Sequence, residues 1–355
     1  MSSRSDALNA PNIFYRLELK ALNAKTWAPF ILRWSLIISL TLAGVIYMIQ
    51  MPGKSYSGPF QPLDEEEVEL RDRLKEHVEV LGGRIGERNV WHYSELESAA
   101  DYIRDLFEEY GYSPEVQVFK SGGRMVRNVT VELPGEEILE EIIVVGAHYD
   151  SVLGSPGAND NGTGVAAILE LSRLLKDEQL HRTVRFVAFA NEEPPFFYSK
   201  EMGSQVYAAR SREREERIVA MLSLETIGYY SDMPDSQHYP ALFNLFYPDT
   251  ANFIGFVGNL SSRKLVRRSI DTFRRTTAFP SEGVAAPGWI TGIGWSDQLS
   301  FWQAGYDAIM VTDTALFRYA HYHSSTDTPD KIDYMRTARV VKGLSHVVTA
   351  LANER

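Results

Sequence analysis

The stretch IIVVGAHYD, residues 142–150, decides the fold. It opens with apolar and small residues that do not alternate with polar ones, the pattern of a strand covered on both faces. The run ends directly on His148 and Asp150. The same construction recurs downstream: VRFVAFA at 184–190 leads into Glu192 and Glu193, and VAMLSL at 219–224 leads into Glu225. DAIMVT at 307–312 is followed by a loop holding His323. Helical spacing fills several intervals, notably Gly164 to Leu175 and Ser199 to Arg210, and Tyr334 to Leu351 reads as a closing helix. Strands that alternate with helices argue for an α/β fold. Ligands of such folds bind beyond the carboxyl ends of the strands, which is where these acids and imidazoles fall.

Upstream, EEEVELRDRLKEHVEVL at 65–81 spaces Val68, Leu74, Val78 and Leu81 for a helix, with acids in the first turn. A second helix, Ser94 to Tyr110, stops at Gly111, and EVQVF at 115–119 and NVTVEL at 128–133 add strands. From Gly228 to Gly294 the rhythm breaks. This segment holds the Pro- and aromatic-rich loop DMPDSQHYPALFNLFYP, a strand-like NFIGFVG, a basic helix over Arg263 to Arg275 and the loop PSEGVAAPGWITGIG. An insertion placed there is expected to supply loops that contact substrate.

The amino terminus is of another kind. Arg4, Arg16, Lys20, Lys25 and Arg33 against Asp6 and Glu18 give residues 1–33 a net charge of +3. WSLIISLTLAGVIYMIQM at 34–51 then carries no charge, and about 20 apolar residues suffice to cross a bilayer. Cations on one side only, with Trp27, Trp34 and Tyr47 as interfacial anchors, predict a single span with the amino terminus in the cytoplasm. The organisation expected is a cytoplasmic tail at 1–33, a transmembrane anchor at 34–51, a linker at 52–63 rich in Pro, Gly and Ser, and an extracytoplasmic domain at 64–355.

Composition removes whole classes. The 355 residues include no cysteine, which excludes a disulfide framework, thiolate ligands and a cysteine nucleophile. A net charge of -11 argues against a nucleic-acid partner, since such binding needs clustered cations against phosphates.

Carboxylates that converge on one rim repel one another and raise each other's pKa unless cations are bound between them. Imidazole and carboxylate donors without sulfur fit Zn²⁺, with Mn²⁺ or Co²⁺ as substitutes, and paired ions are common in hydrolases.

The strings GAHYDSV, GANDNGTG, FANEE, SLETIG and YHSSTDTPD, in this order, resemble the co-catalytic zinc aminopeptidases of the M28 metallopeptidase family over residues 65 to 350. The resemblance implies one domain with a mixed, mainly parallel sheet of about eight strands sandwiched by helices, and a peptide substrate. It assigns His148 and Glu225 to a first zinc, Glu193 and His323 to a second, and Asp160 to both, with a cis peptide after Asp160. Glu192 is implied as general base and then acid toward a metal-activated water, Tyr322 as oxyanion stabiliser, and Asp150 as the carboxylate that orients His148. Two other readings stand on the same scaffold: a glutaminyl-cyclase-like acyltransferase with one zinc, and a non-catalytic binding ectodomain.

Two positions depart from the family pattern. Glu225 stands where Asp is usual, and Gln298 follows Ser296 and Asp297 where His is expected. Asp297 is a candidate for packing the site or for holding a substrate ammonium. His321, two residues before His323, is the rival ligand, whereas His77, His92, His181, His238 and His346 read as ordinary surface or core residues. Phe196, Phe197, Tyr229, Tyr230 and Trp289 are candidates for an apolar pocket beside the metals. The basic helix reads as a solvated face that balances an acidic domain.

Overall fold

The computed structural model describes residues 24–240 and 242–354. Most of the tail at 1–33 therefore lies outside the described residues. Helix α1 (Ala24–Ile49) contains an apolar stretch, Trp27–Ile49, long enough to cross a membrane. The chain falls into two compact units that meet between Tyr47 and Met48.

The second unit opens with helices α2 (Glu65–Val78) and α3 (Tyr93–Glu109) and strands β1 (Glu115–Ser121), β2 (Arg124–Leu133) and β3 (Ile138–His148). It continues through α4 (Gly164–Leu175), β4 (Arg182–Phe189), α5 (Gly203–Glu213), β5 (Arg217–Glu225), β6 (Ile254–Gly258) and α6 (Arg263–Thr276). It closes with β7 (Ser281–Ala285), α7 (Gln298–Gln303), β8 (Ala308–Thr312) and α8 (Tyr334–Asn353). One eight-stranded sheet runs in the order β1-β2-β4-β3-β5-β8-β6-β7. The central strands β4, β3, β5 and β8 are parallel. Antiparallel β1 and β2 flank one side, while β6 pairs antiparallel with β8 and parallel with β7 on the other.

The unbroken apolar run of β3 has a direct cause. Ile143, Val145 and Ala147 enter the main core with Ile168 of α4 and Leu344 of α8, while Ile142 and Val144 enter a second core with Tyr207 of α5 and Phe301 of α7. Both faces are thus apolar, and a period of two would have exposed one of them. Gly146 sits where a Cβ would meet the Phe189 ring at 2.4 Å, so no larger residue fits between these layers. Helix α2 starts on a reciprocal cap in which the Asp64 carboxylate accepts from Glu67 N–H and the Glu67 carboxylate accepts from Asp64 N–H. The helix predicted to Leu81 continues as a π-helical turn, Glu79–Ile85.

Two expectations are corrected. The segment read as an insertion contributes β6 and β7 to the same sheet, and β7 was expected as loop. Its sequence, SEGVA, has weak strand propensity; pairing with β6 at the sheet edge makes it a strand. The linker lacks helix and strand, as expected of a tether, yet it is fastened to the domain. Arg274 donates to the Pro52 carbonyl at 2.9 Å, the Ser281 N–H donates to Ser55 Oγ at 2.9 Å, and Phe60 stacks on Phe279.

Candidate active site

Parallel strand ends bring the predicted residues together. His148 ends β3, Glu225 ends β5, and Glu192 and Glu193 follow β4 by a few residues. Asp160 lies in the segment Ala158–Thr163 that leads into α4, where the backbone kinks out of helical geometry at Asp160 and Asn161 and the peptide between them is cis. His148 Nε2 stands 3.4 Å from Asp160 Oδ1 and 3.3 Å from Glu225 Oε2. His323 Nε2 stands 3.2 Å from Asp160 Oδ2 and 3.2 Å from Glu193 Oε2. Two donor groups therefore share Asp160: His148, Asp160 and Glu225 form one, and Asp160, Glu193 and His323 the other. Glu192 belongs to neither, with its Oε2 4.0 Å from His148 Nε2. The rival His321 points elsewhere, its Nδ1 2.7 Å from Thr326 Oγ1.

The backbone here is held in unusual conformations. Asn191, Thr226 and His323, all at the rim, take positive φ of 54°, 42° and 54°. Non-glycine residues rarely adopt that region, and such positions concentrate at functional sites.

A second layer of buried polar groups fixes the first. The Asp150 carboxylate accepts the N–H groups of both Glu192 and Glu193, at 3.0 and 3.1 Å, and so sets the direction of the loop that carries them. The nearer neighbour of His148 Nδ1 is the Asp150 backbone carbonyl at 3.3 Å, with the carboxylate at 3.5 Å. Asp327 does the same for Asp160: its carboxylate accepts from Asn159 N–H at 2.8 Å, Asp160 N–H at 3.1 Å and the Tyr319 hydroxyl at 2.7 Å. Asp313 accepts from the Asn159 side chain and from Tyr229 N–H, each at 2.9 Å.

Arg88, wholly buried, donates to the carbonyls of Leu81, Gly86, Tyr149, Pro156 and Gly157 and ties down the loop between His148 and Asp160. Gly157 takes φ +61°, and a Cβ there would sit 2.5 Å from the Asp160 carbonyl. Sequence reasoning passed over Asp327, Asp313 and Arg88. Asp327 stands in the quoted string YHSSTDTPD, and an acid beside a ligand motif was the available signal; Arg88 gave none.

Both departures find a place. The longer Glu225 is held by Ser296, whose hydroxyl donates to its Oε2 at 2.6 Å. Gln298 is buried and donates to the Ile293 carbonyl at 3.1 Å. Asp297 is also wholly buried, and burial pushes its carboxyl up to about 7.

Electrostatics test whether cations fit. Burial, then the charge of Asp160, raises Glu193 to about 8. Burial, with Glu225 and Glu193 adding like charge, pushes Glu192 well above the usual carboxylate range. Burial also raises Asp160, but the imidazoles of His148 and His323 facing it overcome that and hold the carboxyl low. His323 is raised to about 10: burial works against this, and the facing carboxylates of Asp160 and Glu193 prevail. His148 Nε2, Asp160 Oδ2 and Glu193 Oε1 are buried without a hydrogen-bond partner among the described residues. Such atoms are costly unless something satisfies them. Convergent imidazole nitrogens and carboxylate oxygens with these orphaned lone pairs fit divalent cations of the zinc type.

An apolar pocket opens beside the donors. Glu225 and Tyr322 are among its lining residues, together with Tyr239, Phe243, Tyr247 and Phe317. Tyr322 stacks on His323 with ring centroids 3.9 Å apart. The aromatics expected in this role, Phe196, Phe197, Tyr229, Tyr230 and Trp289, are not among the residues that line this pocket. Tyr230 is buried in the core, Tyr229 packs on Tyr319, Phe196 lies against Gly122, and Trp289 is 84% exposed. His77 is also more than an isolated helix residue: it is buried with Nε2 3.1 Å from the Glu170 carboxylate.

Comparison with known proteins places the chain in a family. The family model of peptidase family M28 matches residues 128–348. The protein YfbL of Escherichia coli strain K12 is 37% identical over 293 residues, covering 80% of this chain and 88% of that protein. Leucine aminopeptidase 1 of Arthroderma otae is 28% identical over 63% of this chain, which spans only 58% of that relative's length. Among solved structures, the zinc aminopeptidase BSAP of Bacillus subtilis superposes with a TM-score of 0.63 at 16% identity, covering 80% of this chain and 95% of that one.

Proposed function

The chain belongs to peptidase family M28, and on that premise we propose that it is a membrane-anchored aminopeptidase that binds two zinc ions and removes amino-terminal residues from peptides. The observation that carries the reading is the pair of donor groups sharing Asp160, with Glu192 beside them and in neither. His148 and Glu225 would hold one ion, Glu193 and His323 the other, and Asp160 both. When bound, such ions supply Lewis acidity, which polarises a carbonyl and makes a water easier to deprotonate.

The chain's own residues do the rest. Glu192, whose burial among carboxylates raises its proton affinity, takes a proton from the attacking water and returns it to the leaving amine. Tyr322 keeps its proton, because burial and then the charges of Asp160 and Glu193 push its pKa well upward, and it can donate to the developing oxyanion. The apolar pocket that Glu225 and Tyr322 help to line receives the side chain of the terminal residue. The apolar helix α1 and the +3 of residues 1–33 support a single span with the amino terminus in the cytoplasm and the peptidase outside it.

The test is hydrolysis by the full-length enzyme of aminoacyl anilides beside the same peptides with blocked amines, with metal analysis. Cleavage confined to free amines and two zinc ions per chain are expected. Glu192→Gln should lose about 10²–10⁴ in kcat with its zinc retained. Full activity in a folded Glu192→Gln enzyme would refute the mechanism. One zinc with cyclisation of amino-terminal glutamine would favour the acyltransferase reading, and zinc binding without turnover the non-catalytic one.

A further inference from the structure

The turn from Leu242 to Tyr247 is apolar on both sides. Phe243 and Tyr247 are half-buried and stack on each other with centroids 6.1 Å apart. On the outer side Leu242, Leu245 and Phe246 are 69%, 70% and 47% exposed, and Asn244 is the only strongly polar residue among them. Three large apolar side chains bared on one short turn form a patch of the kind that marks a contact surface.

What covers it follows from where the chain leaves α1. Met48, the penultimate residue of that helix, packs in the same apolar cluster as Phe243 and Tyr247. The residues that follow are clamped to the domain next to it. Arg267 donates to the Gln50 carbonyl, Arg274 to that of Pro52, and Ser55 accepts from the Ser281 N–H. The bared turn and the residues at which the apolar helix ends therefore flank one apolar cluster, built on Val284, Ala286 and Ile293.

We propose that Leu242, Leu245 and Phe246 are seated in the lipid interface next to the end of α1, giving the enzyme a second, non-spanning hold on the membrane. The proposal rests on reading α1 as a span. Once α1 is in the bilayer, Met48 stands at its boundary, and the outer side of the turn that shares its apolar cluster meets headgroups and upper acyl chains rather than bulk water. Apolar side chains at such an interface settle about 5–10 Å into the headgroup and acyl boundary.

The absence of cysteine allows single labels. Leu245→Cys, Phe246→Cys, Leu40→Cys within α1 and Met125→Cys on β2 are each made in the full-length chain. They are tagged with an environment-sensitive fluorophore and reconstituted in phosphatidylethanolamine and phosphatidylglycerol vesicles. Labels at 245 and 246 should be quenched by shallow doxyl lipids at least about threefold more than the label at 125, and shielded from aqueous iodide. If the label at 40 is lipid-quenched while those at 245 and 246 stay as wet as that at 125, the turn proposal fails and the span stands. A wet label at 40 overturns both. Shielding from iodide without lipid quenching shows that protein covers the turn, and that too overturns the proposal.

Discussion

Removing the Ser296 hydroxyl tests how the site accommodates a glutamate where aspartate is usual. Ser223, Ser296 and Glu225 form a buried chain in which the serine hydroxyls are 3.1 Å apart and Ser296 donates to Glu225 Oε2 at 2.6 Å. That same oxygen faces His148 Nε2 at 3.3 Å, so the hydroxyl holds it against its partner donor. A hydrogen bond to a charged acceptor is worth about 1.5–3 kcal/mol. Alanine leaves room for no replacement donor beyond a single missing oxygen, and Glu225 regains the rotamers that the bond had closed. At about 1.4 kcal/mol per decade, Ser296→Ala should weaken zinc binding at the His148 group by about 10- to 100-fold, the range seen when partners of metal ligands are lost. Binding at the His323 group, which shares Asp160 but contains no atom of Glu225, should weaken by less than binding at the His148 group. The assay is titration of chelator-stripped, full-length protein with zinc against a competing chromophoric chelator. Ser296→Thr, which keeps a hydroxyl, should restore most of the loss. Unchanged affinity in Ser296→Ala, or equal weakening of both steps, would refute the reasoning.

Three further outcomes follow from the layer behind the ligands. Arg88→Met leaves the carbonyls of Tyr149, Pro156 and Gly157 without a buried donor, at about 1–3 kcal/mol each; denaturant unfolding should show a loss of at least about 3 kcal/mol, and zinc content should fall as the loop before Asp160 loosens. Glu170, fully buried, is lowered from 4.5 to about 2, because hydrogen bonding to His77 and then the charges of Arg173 and Arg73 outweigh its burial. A depressed carboxylate stabilises the fold above its unfolded pKa and loses that contribution as pH falls toward the folded value, here about 3 kcal/mol. The stability gap between wild type and Glu170→Gln, measured in chelator, should therefore be full at pH 7 and close between about pH 4.5 and 2; a constant gap would contradict the assignment. Asp150→Asn keeps the shape but can accept from only one of the Glu192 and Glu193 N–H groups. It should lower kcat about tenfold or more with little change in KM, as read from initial rates.

Much of this was legible in sequence, and the residues show why. The runs at 142–147, 184–190 and 219–224 are buried on both faces, so local composition alone marked them as central strands. Because parallel strands place successive carboxyl ends on one rim, knowing the strands meant knowing where His148, Glu193 and Glu225 would meet. β7 was not legible because SEGVA becomes a strand only through its partner β6. The pocket was not legible because its walls, Phe243, Tyr247 and Phe317, come from segments far apart in the chain. Phe196 and Tyr230 were closer in sequence to the ligands and no closer to the pocket. Arg88 could not be found either: its partners are backbone carbonyls, which every residue offers.

The division of labour between the two layers has an electrostatic reason. Asp160, Glu192, Glu193 and Glu225 crowd one buried rim, where burial and like charge raise the three glutamates while the imidazoles of His148 and His323 hold Asp160 low. A site of mutually repelling groups relaxes apart unless its backbone is held by contacts that do not depend on their charge state. Asp150 and Asp327 supply that hold through backbone N–H groups, and Arg88 through backbone carbonyls. Main-chain partners neither titrate nor leave with a cation. The acidic balance of -11 thus includes carboxylates of two kinds, those at the rim that await positive charge and those beneath it already satisfied by the fold. Stripping the cations should then raise the repulsion at the rim while leaving the loops that carry the ligands in place, so that zinc rebinds to a site already shaped for it.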